Sequence, residues 1–340
     1  MKLQCCVIPV ISGLALWVMP QCASAWGCQG HQVVAYIAES ELNSQAISAV
    51  NDLLTANPIT GVKRFCTKPA GLSPMSDAAT WADDVRDQAG NGNWHFIDVP
   101  LANAGEDPSP WCNDDCVLFA IQKQLAILRD PTYPDASRAD ALRYVIHFVG
   151  DVHQPLHATD DADRGGNCVP VFFKSMGSRS RGGRKTELHH IWDTEMIVEL
   201  MDQSDVEDPQ GLAVLLDKEI TPTERTTWST STDPADWAKE SSLLAAQRGY
   251  QGLTTSDGQA VAIAQIAKSV DESNPKQCNA DATTRITSLH ILPSSDYRLQ
   301  AETAIDQRLK QAGIRLARML NDTWPEDTDN PHAAFHAKGN

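Results

Sequence analysis

The chain has 340 residues, 42% of them hydrophobic and 21% charged, a composition that excludes disordered, collagenous and small disulfide-scaffold classes and suffices to bury a core. Its 28 Lys and Arg stand against 44 Asp and Glu, a net charge of −16, which argues against gripping a polyanion through a broad cationic face. Any phosphate it handles therefore needs another source of positive charge.

Residues 1–25 read as a secretory leader. Lys2 is the only charge, an apolar run extends from Val7 to Met19, and Ala23-Ser24-Ala25 has the small-x-small form of a cleavage site, so the mature chain would begin at Trp26 with a net charge of −17. The apolar run is too short to span a bilayer and no later stretch reaches eighteen apolar residues, so the expectation is an exported, soluble protein, secreted or periplasmic, with no membrane partner. Three of the nine cysteines, Cys5, Cys6 and Cys22, leave with the leader. The six that remain point to disulfides in an oxidising compartment. Cys112 with Cys116, Cys28 with Cys66 and Cys168 with Cys278 are the pairings to test, out of fifteen that six cysteines allow.

Apolar residues recur at three- and four-residue steps from His31 to Leu54, with a break near Asn43-Ser44 and a stop at Pro58, which predicts amphipathic helix. The same spacing predicts helix over Val117 to Leu128, Ala139 to Val152, Leu188 to Met201, Ala235 to Tyr250 and Ala301 to Leu320. Period-two alternation is nearly absent. Trp94 to Val99 and Val169 to Phe173 are short extended pieces, hairpin or loop, so the expected fold is all-α: a mainly helical single domain with at most a short β-hairpin. That domain covers 26–323, and 324–340 is a flexible polar tail.

The residue pattern that carries chemistry is His147-x-x-x-Asp151 followed by His157, and then His189-x-x-x-Asp193. On a helix, residues four apart share a face, so each pair can aim an imidazole and a carboxylate at one ion. With the cysteines committed to disulfides, nitrogen and oxygen donors of this kind suit Zn²⁺. One such pair alone is more often a salt-bridged surface; two pairs and His157 among ten histidines shift the balance toward metal. Pro155 ends the first helix and lets His157 turn back toward the same cavity. Asp83 in WADDVR and His95 in WHFID supply a further carboxylate and imidazole, and a freed Trp26 terminus with His31 five residues on could chelate as well.

WGCQGH at the mature start, WADDVR, WHFID, HFVGDVHQPLH, DRGGN, ELHHIWD, DWAKES and AGIRLARMLN together make the chain resemble the single-strand-specific zinc nucleases of fungi, plants and bacteria, the type I nucleases, whose fold is shared with zinc-dependent phospholipase C. The resemblance covers nearly all of the mature chain. It implies a phospholipase C/nuclease-like fold and three Zn²⁺: one on Asp83, His95, His147 and Asp151, a second on His157, His189 and Asp193, and a third on the amine and carbonyl of Trp26, His31 and a shared Asp151. It also implies an endonuclease for single-stranded RNA and DNA giving 5′-phosphorylated products, with 3′-nucleotides as further substrates. Its nucleophile would be a zinc-bridging hydroxide oriented by Asp83, with Arg86 on a phosphate oxygen. Phe96 would stack on a base whose edge Asp98 bonds, with Gly165 and Asn167 completing the pocket; an unpaired base is required for stacking. His190 falls outside the ligand register and His153 reads as supporting core. A zinc phospholipase C-type phosphodiesterase is the alternative, a non-catalytic nucleic-acid-binding protein the second, and a monomer is expected. Independently of the resemblance, Arg164, Lys174, Arg179, Arg181, Arg184 and Lys185 form a basic stretch that either guides a polyanion or is merely solvated.

Overall fold

The computed structural model describes residues 26–66, 72–175 and 183–326. The leader, Arg179 and Arg181 of the basic stretch, and the tail beyond 326 lie outside them. The described chain is mainly helical: α1 (Cys28–Ser40), α2 (Ser44–Ala56), α3 (Pro74–Ala78), α4 (Trp81–Ala89), α5 (Val117–Arg129), α6 (Asp135–His153), α7 (Leu188–His190), α8 (Met196–Gln203), α9 (Pro209–Glu219), α10 (Pro222–Trp228), α11 (Pro234–Leu244), α12 (Ile263–Ile266), α13 (Ala280–Ser288) and α14 (Ser295–Thr323).

Side-chain caps explain most of the starts. Asn43 accepts a hydrogen bond from Ala46 N at 2.8 Å, which breaks the long periodic stretch into α1 and α2 at the expected place. Ser73-Pro74, Asp208-Pro209, Thr221-Pro222 and Asp233-Pro234 each place a capping oxygen before a proline at the first helical position, and Thr221 adds a reciprocal bond from its backbone to Glu224 at 2.8 Å. The helix α6 is buried continuously from Val145 to His153, its polar residues there being His147, Asp151 and His153. It packs against α5 and α14, and α14 in turn lies along α1.

Two small antiparallel pairs complete the chain. β1 (Pro170–Phe173) pairs with β2 (Arg184–Glu187), Val171 opposite Thr186, so of the two readings open for the run at 169–173, hairpin or loop, it is the hairpin. β3 (Val270–Asp271) and β4 (Asn274–Cys278) form a second pair that the sequence reading did not anticipate. Its signal is a side-chain turn rather than periodicity: Asp271 accepts from Ser273 N at 2.9 Å and Ser273 Oγ at 2.7 Å. The Trp94–Val99 piece is loop, not sheet; a short 3₁₀ turn (Gly92–His95) runs into extended backbone fixed by Ile97 N donating to His157 O at 2.8 Å. All three cysteine pairings hold, Cys28–Cys66, Cys112–Cys116 and Cys168–Cys278. No helix of the described residues is long and apolar enough to cross a membrane.

Candidate metal centre

One turn of α6 separates His147 from Asp151, so both face the same side, where α4 brings Asp83 and the end of the 3₁₀ turn brings His95. Asp151 Oδ2 lies 3.3 Å from His147 Nε2 and 3.0 Å from His95 Nδ1. Asp83 Oδ1 stands 3.7 Å from His95 Nδ1 and 3.8 Å from His147 Nε2. The other oxygen of the same carboxylate, Asp151 Oδ1, lies 3.2 Å from His31 Nε2 on α1. His31, Asp83 and His147 also converge within 4.8 Å of one another, so His31 faces both carboxylates. A second set sits beside the first: His189 Nε2 is 3.0 Å from His157 Nε2 and 3.2 Å from Asp193 Oδ2. All of these side chains are buried.

The second pair is not on a continuous α-helix. His189 is the middle residue of α7 while Asp193 lies in a π turn (Ile191–Glu195) that leads into α8, the type of helical irregularity that re-aims side chains at functional sites. His31 reaches α6 because residue 150 is glycine: a Cβ there would stand 2.8 Å from His31 Nδ1. Trp26 is buried, and Gly27 N donates to Asp193 O at 2.7 Å, which ties the chain just before α1 to the second set.

The donor arrangement fits divalent cations. Nδ1 of His147, His157 and His189 each lies 2.7 Å from a backbone carbonyl, of Ala79, His95 and Gly165 respectively, so the ring proton is there and the Nε2 lone pair points inward. His157 and His189 then aim two lone pairs at one point, as do His147 and His95 Nδ1, 3.1 Å apart. Both ring nitrogens of His31 and Asp151 Oδ1 are buried without a hydrogen bond despite their 3.2 Å separation. Burial pushes the imidazoles of His31 and His95 well below the ordinary value, and burial followed by the nearby His189 brings His157 down to about 3, so all three are neutral donors. At His147 burial acts downward too, but Asp151 and Asp83 outweigh it and lift the imidazole to about 9. Without an ion the carboxylates thus draw their countercharge from a proton on the His147 imidazole, and a bound cation would take that proton's place.

Arg86 lies on α4 one turn after Asp83, its guanidinium 3.7 Å from that carboxylate. Phe96 is half-buried, with its carbonyl accepting from Val117 N at 3.0 Å. Asp98 reaches solvent, yet the protein around it and Asp160 hold its carboxyl above the usual range, while Arg164 acts the other way. Asp160 Oδ1 accepts from Gly165 N at 3.1 Å, which brings the 164–167 turn to the same recess as Asp98. The Asn167 amide donates to Arg164 O at 2.7 Å and closes that turn. Gly165 has an additional task, since its carbonyl fixes His189; its φ of +58° and a space in which a Cβ would meet Leu156 O at 2.4 Å both require glycine.

His190 points away to Glu195, where Arg184 of the basic stretch also binds, so at least that arginine is paired. His153 is buried with its rings on Val149 O and Arg315, in the core behind the centre. The sequence reading missed Gln154, whose amide donates to Asp193 Oδ1 at 2.5 Å and whose oxygen accepts from Leu156 N at 2.5 Å. It also missed the carbonyls that orient the rings, which no side-chain pattern encodes.

A helical domain with converging, buried imidazole and carboxylate sets defines the class of candidate multi-metal hydrolases. The sequence matches the family described as S1/P1 Nuclease over residues 26–324, and the chain belongs to that family. It is 28% identical to Nuclease S1 of Aspergillus oryzae over 322 residues, covering 90% of this chain and 94% of the relative. It is 26% identical to Endonuclease 2 of Arabidopsis thaliana, covering 93% and 96%, and 30% identical to Nuclease P1 of Penicillium citrinum, covering 57% and 67%. The protein is therefore an enzyme of the nuclease class, a phosphodiesterase. These relatives bear nuclease names, not the name of the phospholipase alternative.

Proposed function

We propose that the protein is an exported endonuclease that hydrolyses single-stranded RNA and DNA to 5′-phosphorylated products, removes terminal 3′-phosphates, and works as a monomer with three Zn²⁺. The observation that carries the reading is the pair of Asp151 oxygens, each turned to a different imidazole set, 3.0 Å from His95 and 3.2 Å from His31. On this reading, Asp83, His95, His147 and Asp151 hold one ion and His157, His189 and Asp193 another. Removal of residues 1–25 frees the Trp26 amine, which with its carbonyl, His31 and Asp151 holds the third. Bound zinc supplies the charge that acidifies water and neutralises a phosphodiester at the transition state.

The chain's own residues do the rest. Asp83 accepts a proton from the attacking water and orients it, and Arg86, already beside Asp83, bonds a nonbridging phosphate oxygen in a charge-assisted contact. Phe96 offers a ring face that any unpaired base can use, and Asp98, with Gly165 and Asn167 alongside, bonds the base edge. The Asp98 carboxyl, held above the usual range, is suited to donate as well as accept. An ionic centre replaces the cationic groove that a chain of net charge −16 lacks.

Metal analysis paired with turnover tests the proposal. Protein beginning at Trp26 is expected to carry three zinc ions and to cleave denatured DNA, single-stranded RNA and a 3′-nucleotide, and to spare duplex DNA and phosphatidylcholine. Protein with one residue left before Trp26 is expected to lose one ion and most turnover. Full activity with the blocked terminus refutes the third site, and activity without any metal refutes the whole reading.

A further inference from the structure

We propose that Phe65 is a second nucleobase platform, gripping a base of the substrate strand next to the one seated at Phe96. The inference rests on the single-strand reading above and adds a subsite to it.

Phe65 is 61% exposed, but it is not an ordinary surface hydrophobe. Of the other exposed large side chains among the described residues, Leu299, Val214 and Leu243 sit on helices, and Tyr133 sits in the turn before α6, its N–H donating to Asp130 O at 3.2 Å. Phe65 lies in irregular chain, and bonds made by residues 64–66 tie it to α1, α4 and the residues just before α4. Its N–H donates to Asp84 Oδ1 at 2.7 Å, one residue from Asp83. Arg64 before it donates to Thr80 Oγ1 at 2.8 Å and to the Asp77 carbonyl at 2.9 Å, and pairs with Asp84 Oδ2 at 2.5 Å. Thr80 follows Ala79, the residue whose carbonyl orients His147. Cys66 after it is bonded to Cys28, two residues from Trp26.

Three anchors thus hold a bare aromatic ring beside α4, which carries both Asp83 and Arg86. Tethers on both neighbours of one exposed ring make sense if the ring has a partner that comes and goes. The partner must be flat, apolar on its face and attached to the polyanion that reaches Arg86, and a nucleobase of a flexible strand meets each requirement. A duplex keeps its bases stacked on one another and cannot offer one, so a platform here would reinforce the preference for single strands.

The test compares oligonucleotides with a 3′-mononucleotide, which is too short to reach both rings. Phe65→Ala is expected to lower kcat/KM for a single-stranded tetranucleotide about tenfold relative to the mononucleotide, the order that one stacked base contributes, and Phe65→Trp to retain it. In wild type, a tetranucleotide with an abasic flanking position is expected to lose the same factor, and in Phe65→Ala that penalty is expected to vanish. Equal losses on both substrates, or an abasic penalty that persists in the variant, overturn the platform. Wild-type protein that fails to cleave the normal tetranucleotide refutes the single-strand reading instead, so the two failures are separable.

Discussion

Gln154 occupies a position where one amide serves two masters, donating to Asp193 and accepting from Leu156 N just before His157. Its removal leaves Asp193 free to rotate and the turn carrying His157 loose. Gln154→Ala is therefore expected to weaken metal binding about 10- to 100-fold, the usual penalty for losing a group that orients a ligand; competition with a chromophoric chelator measures it, and unchanged affinity would contradict the role. His153, three residues after the Gly150 that makes room for His31, shows the opposite use of an imidazole. Burial, then Arg308 and Arg315, hold it well below the ordinary value of 6.5. The unfolded chain accepts a proton below pH 6.5 that the folded chain refuses, so stability is complete above that pH and falls as the pH drops, by up to about 1.4 kcal/mol per pH unit for one such group. Urea unfolding of metal-free protein at pH 8 and pH 5 is expected to show this loss, and His153→Gln to show a smaller one. The His147/Asp151 step was legible because a helix converts a four-residue spacing into a shared face. Gln154 was not, because its role depends on a chain reversal at Pro155 and on a π turn far along the sequence.

The helices α1, α2, α5, α6, α11 and α14 were readable from apolar spacing, since each buries one stripe or, for the second half of α6, its whole circumference. The helices α9 and α10 were passed over, although Asp208-Pro209 and Thr221-Pro222 with Glu224 state their starts in the sequence; their apolar faces are short and the caps carry the signal. The π turn at Ile191–Glu195 has no such mark, because it answers to what surrounds Asp193 rather than to local preference. The turn at 164–167 joins these elements to the centre. Asp163 beneath it accepts from Gly166 N at 3.0 Å and from Tyr250 OH at 2.9 Å, which holds the Gly165 carbonyl against His189. Gly165→Ala is expected to cost about 1–3 kcal/mol, from the left-handed backbone and the clash with Leu156 O. It is also expected to release the second ion before the others. Thermal unfolding and stepwise metal loss in dialysis check both; a variant as stable as wild type would show that the turn can shift without consequence.

Asp83, Asp151 and Asp193 are buried in one region of an already acidic molecule, and the fold tolerates them only with countercharge close by. Chelation is accordingly expected to lower the melting temperature by about 10 °C or more, given that a ligand at a thousand times its Kd stabilises by about 4 kcal/mol. Calorimetry with and without chelator reads the shift, and an unchanged melting temperature would mean that the carboxylates find relief elsewhere. The three disulfides, at Cys28–Cys66, Cys112–Cys116 and Cys168–Cys278, fasten the loops around the helices without contributing a donor to the centre.

The carbonyls of Ala79, His95 and Gly165 lock three imidazole rings before any ion arrives. Ions should then unplug and re-enter as from a rigid socket, and cobalt(II), a coloured, paramagnetic substitute of similar size and donor taste, could be loaded in place to make each step of filling visible by absorption.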